Sequence, residues 1–211
     1  MDILKVQNKL LAAGFSPGPI DGDLGPKTFT ALLNYAAGKN VGSLTVLLGR
    51  SMAVEFPKYQ IVTEKRISHF IGQACIETGY FKHLSEIGSG KDVNHDKYDD
   101  YLQKYDFRKD LGNSRVGDGD RYRGRGLFQI TGIFNYTLYG TRLGINLLAN
   151  PEKVCDPEIA TQTACLFWNN KKLNTLADKD DYVGVTKKIN GGRNALEERL
   201  KVTSKLLSIF H

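Results

Sequence analysis

Two glutamates bracket a stretch whose residue types could carry acid–base chemistry: Glu77-Thr-Gly-Tyr-Phe-Lys-His-Leu-Ser-Glu86. Two carboxyl groups facing one cleft, one protonated and one ionised, can break a glycosidic bond: one protonates the leaving oxygen while the other activates water. The spacing sets a condition. Nine residues of unbroken helix make about two and a half turns, which would put the two side chains on roughly opposite faces. The pair can therefore act together only if the helix ends between them and the chain turns back. Gly79 and the polar residues Lys82, His83 and Ser85 permit that.

The element that must position Glu77 is legible. From Glu64 onward, Ile67, Phe70, Ile71, Ala74 and Thr78 follow the spacing of one buried helical face. Thr63 is placed to cap this helix and Glu64 suits its first turn. Earlier in the chain, residues 2–13 read as an amphipathic helix with Ile3, Val6, Leu10 and Leu11 on one face. A turn-dense loop, residues 14–25, precedes Pro26, which opens a second helix with Phe29, Leu32, Leu33 and Ala36 inward. Residues 38–43 form a short Gly-containing linker, and a further helix runs from Leu44 through Met52 to end near Pro57.

Residues 87–126 are rich in Gly, Asp, Lys and Tyr, with weak helical patches around 98–105. The segment from Gly117 to Gly132 reads as an ordered functional loop, with Gly124 and Gly126 allowing tight turns. It lacks the ending of a phosphate loop and the terminal glutamate of a calcium loop. Asn150-Pro151 ends one element. Asp156-Pro157-Glu158 starts another, patterned by Ile159, Thr163, Leu166 and Phe167, with Trp168 as a core residue near its end. Asn194-Ala-Leu-Glu197 has capping-box character, and Leu196, Leu200, Leu206, Leu207 and Phe210 make the last helix amphipathic. Strand signals are few, so the fold is expected to be mainly α.

Composition narrows the class. The chain is 41% hydrophobic and 25% charged, with a net charge of +6. These are values of a globular protein that favours anionic partners. The positive charges are scattered and no nucleic-acid motif appears, so nucleic acid is not an expected partner. No run is long enough for a membrane span and the N-terminus has no signal-peptide core. Cys75, Cys155 and Cys165 read as free thiols rather than a disulfide frame. No metal-ligand spacing is present, and neither metal nor cofactor is expected. His69, His83 and His95 lack partners for a triad and read as ordinary histidines.

Two resemblances follow from particular residues. Val6-Gln7, Leu10, Gly14, the run Pro17-Gly-Pro-Ile-Asp-Gly22, Gly25, Thr28 and Ala31-Leu32 resemble the type 1 peptidoglycan-binding domain, a small helical module, with residues 43–50 available as its third helix. Arg123-Gly-Arg-Gly-Leu-Phe-Gln-Ile-Thr131 with Asn135-Tyr136 resembles the signature of glycoside hydrolase family 19. Phe70-Ile-Gly-Gln-Ala-Cys-Ile-Glu-Thr-Gly79 is similar to that family's acid-bearing helix, and Val185-Thr-Lys-Lys-Ile-Asn-Gly-Gly192, with Leu196 and Arg199 beyond, to its Asn-Gly-Gly element. Plant chitinases of the family carry His where this chain has Ile76, place the second Glu farther along and have Ser at the position of Thr131. The short spacing and the Thr resemble the bacterial and phage lysozyme branch.

The resemblance implies a lysozyme-like helical catalytic domain over 44–211 behind a wall-binding module over 1–40. It implies Glu77 as acid, its proton retained by the apolar surroundings of Ile76, Phe70 and Phe81, and Glu86 as base, ionised in its Gly/Ser/Lys setting. Thr131 would hold the water in an inverting reaction, and Gln129, Tyr136 and Asn190 would contact sugar, while Arg125 braces the loop or a carboxylate. The expected protein is a monomeric endolysin of a bacteriophage. It is made in the host cytoplasm without a signal peptide, is released by a holin-like pore without inserting in the membrane, and cuts peptidoglycan in the periplasm. The alternatives are a bacterial chitinase and a non-catalytic peptidoglycan-binding protein.

Overall fold

A computed structural model of the chain describes residues 1–89, 95, 97 and 99–211. Its helices are α1 (Ile3–Ala12), α2 (Pro26–Ala37), α3 (Ser43–Lys58), α4 (Glu64–Glu77), α5 (Asp100–Gln103), α6 (Asp118–Arg121), α7 (Gly132–Leu143), α8 (Pro157–Asn170), α9 (Leu173–Asp178), α10 (Tyr182–Asn190) and α11 (Leu196–Phe210). Short 3₁₀ turns stand at Lys109–Leu111 and Pro151–Cys155. Among the described residues the extended pairings are isolated bridges, Ser85 with Arg125 and Arg125 with Ile130. The fold is mainly α, as the sparse strand signals imply.

Two compact units form. The first holds residues 1–82 and 164–211, the second 83–163, and the chain crosses between them within α8. The units do not part at 38–43, where the sequence reads as a linker. Within the first unit α2 packs on α3 and on α11, Lys205 Nζ donates to the Tyr35 carbonyl at 2.6 Å and Lys9 Nζ to that of Ser208 at 3.2 Å.

The core of the first unit is a chain of aromatic contacts. Phe29 meets Phe56 edge-on at 5.2 Å, Phe56 meets Phe70 at 4.7 Å, and Phe70 meets Trp168 at 5.2 Å. Each such pair contributes about 0.5–1.5 kcal/mol beyond its area. Trp168 is fully buried, and its indole N–H donates to Asn174 Oδ1 at 2.7 Å, so it serves the core as expected. Helix α4 lies against α11 closely enough that a Cβ on Gly72 would come within 2.2 Å of Thr203 Oγ1.

Local signals fix α4. Thr63 accepts from the Arg66 amide at 3.3 Å, a cap usually worth about 1 kcal/mol. Ile67, Phe70, Ile71 and Ala74 are buried. The helix stops at Glu77 because Gly79, Tyr80 and Phe81 all take left-handed backbone, with φ of 57°, 63° and 59°. Left-handed Tyr and Phe cost about 1–2 kcal/mol each. Burial of the Phe81 ring offsets this, together with the Thr78 hydroxyl, which accepts from the Phe81 amide at 3.0 Å and donates to the Ala74 carbonyl at 2.6 Å. The required break between the two glutamates is present.

Other expectations change. Leu11 and Leu200 are exposed, because the inner face of α1 is Val6, Gln7 and Leu10 and that of α11 includes Arg199, Val202, Leu206 and Phe210. The capping box at Asn194 does not form: α11 begins after Ala195, whose φ is 52°, with no side-chain cap. Helix α3 ends at Lys58, beside Pro57, as expected. The loop from Gly117 contains α6, and the helical patch near 98–105 becomes α5, with Tyr98 outside the described residues. Among the described residues no helix is long and apolar enough to cross a membrane. Cys75 and Cys165 are buried free thiols and Cys155 is half-buried.

Candidate active site

Glu77 ends α4 in the first unit, and its surroundings differ from the expected apolar pocket. Arg199 Nη2 donates to Glu77 Oε1 at 2.7 Å, with only 5% and 15% of the two side chains exposed. The guanidinium is itself fixed: Nη1 donates to Gln73 Oε1 at 2.7 Å and Nε to the Asn194 carbonyl at 3.0 Å. Gln73 Nε2 donates in turn to Thr186 Oγ1 at 3.0 Å. Thr186, Gln73 and Arg199 are buried and every polar atom in the relay has a partner, which makes Glu77 a rigidly held carboxyl. The sequence reading missed Gln73 as a support. Its signal is a buried polar residue one helical turn before Glu77 on an otherwise apolar face.

Asn190 ends α10 in the same unit. Its amide is spent on its own turn, accepting from the Gly192 amide at 2.8 Å and donating to the Asn194 carbonyl at 3.1 Å. Asn194 is the residue whose carbonyl Arg199 grips, so Asn190 shapes the support of Arg199 where a sugar contact was expected.

Glu86, Gln129 and Thr131 come together in the second unit around Gly124. The Gly124 amide donates to Glu86 Oε2 at 3.2 Å and the Glu86 amide to the Gly124 carbonyl at 2.7 Å. A Cβ on Gly124 would stand 2.7 Å from Gln129 Oε1 and 3.2 Å from both Glu86 Oε2 and Thr131 Oγ1. This glycine is therefore required by the close approach of three side-chain oxygens rather than by its backbone angles. The other Glu86 oxygen accepts from the Tyr105 hydroxyl at 3.0 Å, and Lys104 Nζ stands 3.9 Å away. Burial, then the neighbouring Glu86 charge, raise the Tyr105 pKa, so its hydroxyl keeps its proton and donates.

Thr131 occupies the N-cap of α7 yet makes no capping bond. Its hydroxyl donates to the Gln129 carbonyl at 3.1 Å, which leaves its lone pairs for another donor. Gln129 is in left-handed backbone, φ 49°, and its Nε2 donates to the Gly126 carbonyl at 2.9 Å.

Tyr136 does not present itself to a ligand. It is fully buried, its hydroxyl donates to the Arg123 carbonyl at 2.8 Å and accepts from Arg125 Nη1 at 2.8 Å, and burial pushes its pKa up to about 12. Tyr136 and Arg125 together brace the Arg123–Thr131 loop. Among the described residues no group of His, Cys, Asp and Glu is arranged to hold a metal.

The first unit thus holds one supported carboxyl group, Glu77, and the second unit holds another, Glu86, with a hydroxyl and an amide beside it. The sequence model of glycoside hydrolase family 19, described as Chitinase class I, matches residues 57–192. The chain belongs to glycoside hydrolase family 19. It is 38% identical over 104 residues to a glycosyl hydrolase family 19 domain-containing protein of Haemophilus influenzae, covering 49% of this chain and 50% of that protein. It is 32% identical over 154 residues to the endochitinase CHI of Arabidopsis thaliana, covering 71% and 52% respectively. The chain thus spans about half the length of these relatives. Its fold matches chitinase C from Streptomyces griseus HUT6037 with a TM-score of 0.66 at 22% identity, over 89% of this chain and 94% of that one. A class IV chitinase from Zea mays matches with a TM-score of 0.62 at 23% identity, over 88% and 92%.

Proposed function

We propose that this protein is a glycosidase that cuts β-1,4 bonds of bacterial peptidoglycan by general acid–base catalysis with inversion. The observation that carries the reading is the Glu86–Thr131–Gln129 group: a carboxylate fixed by an amide and a phenol, beside a hydroxyl that no helix cap consumes. Glu86 takes a proton from a water molecule that Thr131 orients. Glu77 gives a proton to the leaving oxygen. Arg199 holds Oε1, which leaves Oε2 as the oxygen that delivers it. Inversion requires the two carboxyl groups to stand about 6.5–9.5 Å apart across the bond.

Peptidoglycan is favoured over chitin by the N-terminal segment. The motif shared with peptidoglycan-binding domains is a locked unit: buried Gln7 donates to Asp21 Oδ1 at 2.8 Å and Thr28 Oγ1 at 3.2 Å and accepts from the Gly22 amide at 2.9 Å. The net charge of +6 suits an anionic wall. On this reading residues 1–40 hold the wall and the protein serves as a phage endolysin, reaching the wall from the host cytoplasm through a pore made by another protein. The second reading, a bacterial chitinase, is favoured by the relatives named as endochitinases. Purified sacculi and chitin, incubated in parallel and read by reducing-end release and mass spectrometry, separate the two. New reducing ends from sacculi support the proposal. Release from chitin alone replaces it with the second reading.

A further inference from the structure

A pocket of about 470 Å³ in the second unit has three arginines in its lining, Arg115, Arg121 and Arg125, with Val116 and Pro151. Among the described residues none of the three has a carboxylate within salt-bridge distance, although other arginines of the chain, Arg66, Arg108, Arg123 and Arg199, do. Neutral groups hold two of them in place. Arg121 donates to the Tyr122 hydroxyl at 3.0 Å and the Leu148 carbonyl at 3.1 Å, and Arg125 to the Arg121 carbonyl and the Tyr136 hydroxyl, both at 2.8 Å. Two acids, Asp118 and Asp120, line the pocket as well, and both are engaged: Asp118 accepts from the Ser114 and Arg115 amides at 2.8 and 2.9 Å, and Asp120 pairs with Arg123. Three arginines against two acids that are both engaged elsewhere leave the pocket with an excess of positive charge, which an anion would balance. Planar guanidinium forks match carboxylates two bonds at a time.

We propose that this pocket seats a carboxylate of the short peptide borne by the glycan strand, with the exposed Val116 against the small alkyl side chain beside it. The choice of ligand rests on the peptidoglycan reading above. Arg121 and Arg125 line the pocket, and Gly124, whose amide holds Glu86, lies between them in the chain. A seated peptide would therefore fix the register of the strand at the base, which an uncharged chitin chain cannot do.

The test uses the full chain and the synthetic stem peptide L-alanyl-γ-D-glutamyl-L-lysyl-D-alanyl-D-alanine, followed by calorimetry. The variant is Arg115→Gln. Arg115 is exposed and its side chain makes no hydrogen bond among the described residues, so an unchanged melting temperature accompanies the substitution. Wild type is expected to bind the peptide. Amidation of its carboxylates, and separately Arg115→Gln, should each weaken binding by about tenfold or more, with Arg115→Lys between. Equal binding by wild type and Arg115→Gln, no binding at all, or displacement by an equal concentration of inorganic phosphate would each overturn the proposal. Wall hydrolysis with Arg115-independent peptide binding defeats this site alone. Arg115-dependent peptide binding without wall hydrolysis defeats the peptidoglycan hydrolase reading and leaves the pocket standing.

Discussion

Replacing Arg199 with Met tests whether the support of Glu77 has been read correctly. Met keeps the length and most of the volume but removes every donor. Glu77 Oε1 and Gln73 Oε1 lose their partner together, and the Asn194 carbonyl keeps only the Asn190 amide. Because Arg199 and Gln73 are buried, water cannot simply take over. Each buried acceptor left unsatisfied costs about 1–3 kcal/mol, so the two cost about 2–6 kcal/mol. For a chain of this size each kcal/mol moves the melting temperature by about 2–4 °C, so Arg199→Met should melt about 4–24 °C lower. Arg199→Lys restores one donor and should recover part of the loss. A double-mutant cycle with Glu77→Gln isolates the pair, for which a charge-assisted hydrogen bond predicts a coupling of about 1.5–3 kcal/mol. Scanning calorimetry on the four proteins reads both quantities. An Arg199→Met protein melting within 2 °C of wild type, or a coupling near zero, would refute the argument that this relay holds Glu77.

Two further outcomes follow from individual contacts. Gly124→Ala places a methyl group within 2.7–3.2 Å of Gln129, Glu86 and Thr131, so it should displace all three and lower the hydrolysis rate by about 10² while leaving the helical circular dichroism intact; near-wild-type turnover would show that the cluster does not act in the reaction. His69 is buried, with Nε2 3.4 Å from Asp180, Nδ1 unpartnered and its ring against Tyr182, while Lys65 and Asp181 complete its charged surroundings. Burial is the main cause that lowers its pKa below the ordinary 6.5, with Asp180 opposing. The unfolded chain therefore takes up the proton first as pH falls. The stability this group contributes is complete above 6.5 and is lost as pH drops from there through the folded value. Melting curves at pH 7.5 and 5 should show a smaller difference for His69→Gln than for wild type, and an equal difference would contradict the assignment.

What the sequence made legible was whatever depends on near neighbours. Helix α4, its Thr63 cap and its end at Glu77 all follow from residues within one or two turns, and the break before Glu86 follows from the distance the two glutamates would otherwise span. The grouping of Glu86 with Gln129 and Thr131 was reached through a motif, and the structure supplies its physical reason in the close approach at Gly124. Arg199 was marked by the motif beyond the Asn-Gly-Gly element, but its relay was not legible, since it lies 126 and 122 positions from Gln73 and Glu77. The same residue explains why the inner face of α11 was misphased: a charged side chain takes a buried position that periodicity assigns to a leucine. Tyr136 was misread because a tyrosine suits a sugar platform and a core brace equally, and only burial separates them. The capping box at Asn194 failed because Ala195 takes a left-handed backbone that the motif does not encode.

The central claim is that Glu86 activates water and does not itself attack the sugar. A nucleophilic Glu86 would form a covalent intermediate and retain configuration, with the carboxyl groups about 5–5.5 Å apart. Proton NMR of the first product released from a soluble β-linked peptidoglycan strand, recorded before mutarotation, distinguishes the two directly. The account predicts the α anomer; a β anomer as first product would contradict it.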